Sequence, residues 1–177
     1  MISLNQLLES RDARAKHQKD LLGRFPGKSL LCLTVQLPGP EKRNEQSLAI
    51  AKAGVSAIRQ AFQPDYEELR DLETGYEGYF LVSLPALEAK RKAVEVEDNH
   101  PLGRLMDIDV LHGVPEENYF SSAGVKAISR EEIGLAPRRC LLCDNEVRYC
   151  MRAKTHTTSE LLERIKQILK EYELQTP

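Results

Sequence analysis

At 177 residues the chain is long enough for one domain with a real core and too short for two. Its 25 basic and 27 acidic residues, net charge −2, make no case for nucleic acid or an anionic membrane as a partner. No apolar run approaches the roughly 20 residues of a membrane span, and the N-terminus lacks a secretory signal pattern. The expected compartment is therefore the cytoplasm, and Cys32, Cys140, Cys143 and Cys150 are expected as thiols, not disulfides.

Ser3 and Gln6 form a capping-box pattern ahead of Leu4, Leu7 and Leu8, predicting a helix to about Leu22 whose apolar face fades at "SRDAR". "SLLCLTVQL" (29–37) reads as a buried strand, broken by "PGPEKRN" (38–44). Leu48, Ala51, Val55, Ile58 and Phe62 recur at helical spacing up to Pro64. Residues 65–74 fit helix or strand equally; "TGYEG" (74–78) reads as a turn and "YFLVSL" (79–84) as a strand. Pro85 suits the first turn of a helix reaching about Glu97. A strand follows in "HPLGRLMDIDVL" (100–111), then a loop over 112–124 and a short strand at "VKAIS" (125–129). "GLAPRRCLLC" (134–143) is irregular, and Thr157 with Glu160 caps a last helix carrying Leu161, Leu162, Ile165, Ile168, Leu169 and Tyr172 on one side. The whole predicts a mixed α/β domain over residues 1–177, a mixed sheet flanked by helices, and not a doubly wound parallel fold.

Met106, Ile108 and Val110 alternate with Asp107 and Asp109, so a strand there turns two carboxylates to one face. Such a pair can share Mg²⁺, which takes one or two carboxylates plus substrate phosphates. The plainer alternative is the wet side of an edge strand. Around the pair, Gly103 permits a close backbone approach, and Arg104 offers a fork for phosphate. His100 could carry a proton or bind phosphate, or equally just precede Pro101 in a turn.

Cys140, Cys143, Cys150 and His156 follow a C-x2-C-x6-C-x5-H spacing. Cys₃His is a known structural zinc set; small buried cysteines in a loop are an equal alternative. The same segment holds Arg138, Arg139, Arg148, Arg152 and Lys154 against Asp144 and Glu146, which suits either a polyphosphate or a solvated loop.

"LESRDARAKHQ", "TVQLPGPEKR", "HPLGRLMDIDVL", "ISR", "PRRCLLC" and "CMRAKTH", in that order, resemble the apo-citrate lyase phosphoribosyl-dephospho-CoA transferases, the CitX family of holo-acyl-carrier-protein synthases. Met106 departs from the aromatic residue common there, a change on the apolar face, and the 112–124 loop is longer than usual. The resemblance implies transfer of 2'-(5''-triphosphoribosyl)-3'-dephospho-CoA to a serine of the acyl carrier (gamma) subunit of citrate lyase, with release of diphosphate. It implies nucleotidyltransferase-type chemistry, with Asp107 and Asp109 on Mg²⁺, one of them also taking the serine proton. Arg104, Arg130, Arg138 and Arg139 would hold phosphates, with Arg11 and Lys42 as further candidates from matching motifs. A nucleotidyltransferase-like fold would add a Gly-Ser pair upstream and a third carboxylate on a later strand. The Gly-Ser pair is absent and no third carboxylate stands out. Two rivals remain: a zinc-stabilised, non-catalytic protein-binding module, and a related transferase serving another acyl carrier.

Overall fold

A computed structural model describes residues 2–114 and 124–175. Helix α1 (Leu4–Arg24) opens on the expected reciprocal box, with the Ser3 hydroxyl accepting from the Gln6 amide and the Gln6 side chain from the Ser3 amide. Strand β1 (Ser29–Val35) is the buried run. Helix α2 (Glu45–Phe62) is capped by Asn44 and Ser47, a second reciprocal pair that the sequence reading missed. The ambiguous stretch is strand β2 (Tyr66–Leu72). Its hairpin partner β3 (Gly75–Val82) begins inside "TGYEG", so the turn is shorter than expected. Helix α3 (Ala86–Asn99) follows Pro85, then a single 3₁₀ turn over Gly103–Leu105 leads into β4 (Met106–Gly113). Strand β5 (Val125–Ala127) is short, as expected. Residues 115–123 of the expected loop lie outside the described residues. Helix α4 (Val147–Ala153) was not foreseen, and α5 (Thr158–Gln175) starts on the Thr157–Glu160 box.

The strands order as β2-β3-β1-β4-β5, and every pairing is antiparallel. The mixed α/β class holds, but the sheet is not mixed in direction: its hairpins and short crossings never return a strand parallel to its neighbour.

Alternation sorts the side chains onto two faces. Leu31, Leu33, Phe80, Met106, Ile108 and Val110 face α2, α3 and α5 in the main core. Met106 is fully buried, so its departure from an aromatic residue is a matter of packing. Gly54 makes this fit, since a Cβ there would stand 3.0 Å from Leu33. On the opposite face Leu30, Cys32, Tyr79, Leu81 and Leu111 pack against Leu21 and Leu22 at the C-terminal end of α1, with Phe25, Tyr66 and Val125 at the margin. The other end of this face, with Thr34, Glu77 and Asp107, lines a cleft.

β5 pairs with only residues 111–113 of β4, so the earlier part of that edge must satisfy its backbone otherwise. The Ile108 N–H donates to the Glu97 carboxylate at 2.8 Å, and its carbonyl accepts from Lys90 at 3.2 Å. Arg138 donates to the Met106 carbonyl and Ile128 N–H to that of Val110. Glu97, 3% exposed, also pairs with Arg138 at 2.7 Å and Arg130 at 3.3 Å. Gly103 lies against the same spot: a Cβ on it would fall 2.0 Å from the Glu97 carbonyl oxygen. The close approach anticipated there is to α3, not to a ligand.

Breaking a buried charge network by removing one partner costs about 3–5 kcal/mol. Glu97→Ala should lose that much stability in urea denaturation, because it leaves the Ile108 amide without its acceptor and takes from Arg138 its nearest carboxylate.

Candidate active site

Strand register fixes the floor of the site. Thr34 on the central strand stands opposite Asp107 on one side and Glu77 on the other, and Cys32 stands opposite Asp109. Asp107 and Asp109 therefore share a face with Glu77 and Tyr79, as period-2 alternation requires. Above the first row lies a cleft of about 470 Å³ lined by Arg11, Arg14, Lys42, Arg104, Asp107 and Arg138, among others. A groove of about 370 Å³ continues from it along Asp109, Lys90 and Arg130, with Asp107, Gln36 and Arg138 common to both.

The two carboxylates are only partly offset by nearby cations among the described residues. Arg138 is Asp107's one ion-pair partner among the described residues, at 3.8 Å. Asp109 reaches solvent but protein crowds it on most sides. This desolvation, with the Asp107 charge two residues away, raises its pKa above the ordinary carboxylate value. Lys90 and Arg138 act the other way and are outweighed.

The expected arginines differ in how free they are. Arg104 donates to the carbonyls of Arg139 (2.6 Å) and Cys140 (2.9 Å), which aims its guanidinium along the cleft wall. Arg138 is held by Glu97 and the Met106 carbonyl beside Asp107. Arg139 makes one exposed contact to Asp144 at 3.4 Å, an interaction worth little. Arg130 lies in the groove but is engaged by Asp98 at 2.8 Å and by Glu97.

His100 is not brought to the cleft. It caps α3, its Nδ1 accepts from the Leu102 amide at 3.0 Å, and its ring packs against Tyr172. Burial lowers its pKa. This is the turn role, and the sequence reading of a proton carrier has no support in its position.

The cysteine segment folds as a tight hairpin, Cys140 N–H to the Asn145 carbonyl and Val147 N–H to the Arg138 carbonyl, running into α4. The ligand atoms of Cys140, Cys143, Cys150 and His156 all lie within 4.8 Å of one another and could hold a metal ion. His156 Nε2 is 3.3 Å from Cys143 Sγ, which is 3.5 Å from Cys150 Sγ. Burial would raise the Cys140 thiol, but the Leu142 and Cys143 amides and the neighbouring thiols outweigh it and pull the pKa down. Burial and the other thiols push Cys150 up to about 11.

Comparison with known proteins bears directly on this arrangement. The family model for CitX, apo-citrate lyase phosphoribosyl-dephospho-CoA transferase, matches residues 2–172. A protein of that name from Escherichia coli O7:K1 (strain IAI39 / ExPEC) is 39% identical over 173 residues, 95% of this chain and 88% of that one. A probable apo-citrate lyase phosphoribosyl-dephospho-CoA transferase from Streptococcus pyogenes serotype M18 is 36% identical over 171 residues, 95% and 85% of the two chains. The chain belongs to the CitX family.

In this CitX-family chain several cleft residues escaped the sequence reading. Arg14 continues the stripe Leu7, Ser10 and Arg11 along α1, all facing the cleft. The apolar pattern faded at "SRDAR" because that face looks onto polar groups, not the core. Glu77 is 4% exposed and is held by Arg14 at 2.9 Å and by the Tyr79 hydroxyl. Lys90 and Glu97 occupy inward positions among Ala89, Ala93 and Val94 on α3, and charged residues on a core stripe were the available signal.

A raised carboxylate pKa carries a stability consequence. The contribution of Asp109 is fully present below its ordinary value of 3.8 and is lost as pH rises through the higher folded value. Asp109→Asn should accordingly raise the thermal midpoint of chelator-treated protein at neutral pH. The advantage should vanish in acid below 3.8, a comparison that calorimetry across pH makes directly.

Proposed function

We propose that this CitX-family chain transfers the 2'-(5''-triphosphoribosyl)-3'-dephospho-CoA group to a serine of the apo acyl carrier (gamma) subunit of citrate lyase, releasing diphosphate. The observation that carries this reading is a cleft and an adjoining groove that share Asp107, with Asp109 in the groove and a surplus of cations lining the cleft, the complement of a polyphosphate donor. The serine oxygen attacks the phosphorus next to the ribose. The bond to the next phosphate breaks, its electron pair leaves on diphosphate, and the serine proton passes to a carboxylate of the Asp107/Asp109 pair. Arg104, Arg138 and Arg139 hold the phosphates and stabilise charge developing on the leaving group. Glu97 orients Arg138, while Arg130, tied to Asp98, shapes the groove beside Asp109.

Asp107 and Asp109 would hold Mg²⁺, and such an ion would offset the desolvation and the Asp107 charge that disfavour an ionised Asp109. The bound ion supplies neutralisation of the triphosphate oxygens. Cys140, Cys143, Cys150 and His156 would hold structural zinc. A tetrahedron with Zn–S bonds of ~2.3 Å places its sulfurs about 3.8 Å apart, close to the 3.5 Å between Cys143 and Cys150. All four cysteines are free thiols, in keeping with a reducing cytoplasm. No helix among the described residues is long and apolar enough to cross a membrane.

Incubation with donor, Mg²⁺ and apo carrier should add the prosthetic-group mass to the carrier; a carrier of unchanged mass would turn the reading to the binding-module rival. Asp107→Asn should cut that transfer by ~10²–10³-fold, the usual scale for a group stabilising the transition state, with the fold retained by circular dichroism. Arg104→Lys should raise the donor KM about tenfold, since lysine keeps the charge and loses the planar fork. Protein purified without chelator should carry about one zinc per chain. Cys143→Ser should lose both the metal and several degrees of thermal stability, because the binding energy of a structural site is folding energy.

A further inference from the structure

The cleft has two ends. At one, Asp107 stands with Arg104 and Arg138; at the other, Arg11 and Lys42 meet beside the β2–β3 turn. The Lys42 Cβ lies near Gly75, and Ser10 on α1 bonds Thr74 across the same turn at 2.9 Å. Lys42 donates to the Leu37 carbonyl, a neutral acceptor. Arg11 and Lys42 have no ion-pair partner among the described residues, and they stand close enough that Arg11 disfavours the charge on a partly desolvated Lys42. Arg14 adds a second guanidinium beside Arg11 on α1, its charge matched by buried Glu77 and its position fixed by it. Two adjacent, uncompensated cations are a standing cost to the fold, and an anion is what would relieve it.

The strand register separates the two ends. Glu77, under Arg14, is two strands from Asp107 in the same row, roughly 10 Å at the usual strand spacing. A single phosphate chain engaged at Asp107 does not need both ends. A donor with anionic groups at two points along its length does, and a dephospho-CoA-derived donor carries an internal diphosphate apart from the reacting one.

We infer that Arg11 and Lys42, backed by Arg14, form a second anion subsite that takes the internal diphosphate of the dephospho-CoA portion of the donor, across the cleft from the reacting phosphate at Asp107. This rests on the proposed function. It makes donor recognition bipartite: the Asp107 end reads the triphosphate, and the Arg11–Lys42 end reads the nucleotide body that distinguishes this donor from other triphosphates.

Calorimetric titration separates the ends, using dephospho-CoA for one and inorganic tripolyphosphate with Mg²⁺ for the other. In the double variant Arg11→Ala/Lys42→Ala, dephospho-CoA should bind at least tenfold more weakly than to wild type, while tripolyphosphate affinity stays within about twofold. Arg11→Ala alone, at an exposed helix position, should show the same selectivity in smaller measure and serves if the double variant melts early. Equal loss for both probes, loss for neither, or a wild-type chain that does not bind dephospho-CoA overturns the subsite. Transfer to apo carrier by wild type is run in parallel. Its absence would sink the proposed function, whereas active wild type with unselective variants would sink only the subsite.

Discussion

A half-open strand edge must be closed by something, and here a charged network centred on one buried carboxylate helps to close it. Glu97 accepts the Ile108 amide and holds Arg138 and Arg130. The same contacts that complete the backbone of β4 therefore place a guanidinium beside Asp107. Had β5 run the length of β4, the edge would have been sealed by amides and carbonyls alone. There would have been no structural reason to gather arginines around the aspartate pair. The short β5 and the charged stripe of α3 are two sides of one solution, and the cleft is its by-product. Gly103 belongs to it too, because the chain turning into β4 must pass in contact with the Glu97 backbone.

The cysteine hairpin extends the same logic to the opposite wall. Arg104 reaches from the start of β4 to the carbonyls of Arg139 and Cys140, so the cleft wall and the four-ligand cluster share a backbone segment. Whatever holds Cys140 in place also holds the acceptors that aim Arg104. The cluster is thus coupled to the cleft through two hydrogen bonds, and Cys140 itself lines the cleft wall.

Much of this was legible in the chain. Alternation in "MDIDV" gave the carboxylate face, because a strand offers no other way to bury three apolar residues and keep two acids. Reciprocal caps marked α1 and α5 where local chemistry is decisive. The C-x2-C-x6-C-x5-H spacing grouped four residues that the fold does bring within 4.8 Å. What stayed hidden depended on tertiary context. "YEELRDL" has charged residues on both faces and becomes a strand only through pairing with β3. Helix α4 is seven residues long and has no side-chain cap, so nothing local announces it. His100 carried a chemically suggestive side chain, yet its neighbourhood, a helix end and Tyr172, is set by packing that no local pattern reveals. Glu97 and Arg14 sat at positions where periodicity expects apolar residues, and their charge made them look like ordinary surface.

The way β4 is closed has a bearing on behaviour in concentrated solution. An exposed row of unpaired amides and carbonyls is a template onto which another molecule can add a strand. Along β4 that row is occupied by Glu97, Lys90 and Arg138, side chains that no incoming backbone can displace without uncovering buried charge. At the far edge of the sheet, β2 presents Glu67, Arg70 and Asp71. The charges that shape the cleft thus also oppose the addition of a further strand along β4, as those of β2 do at the other edge of the sheet.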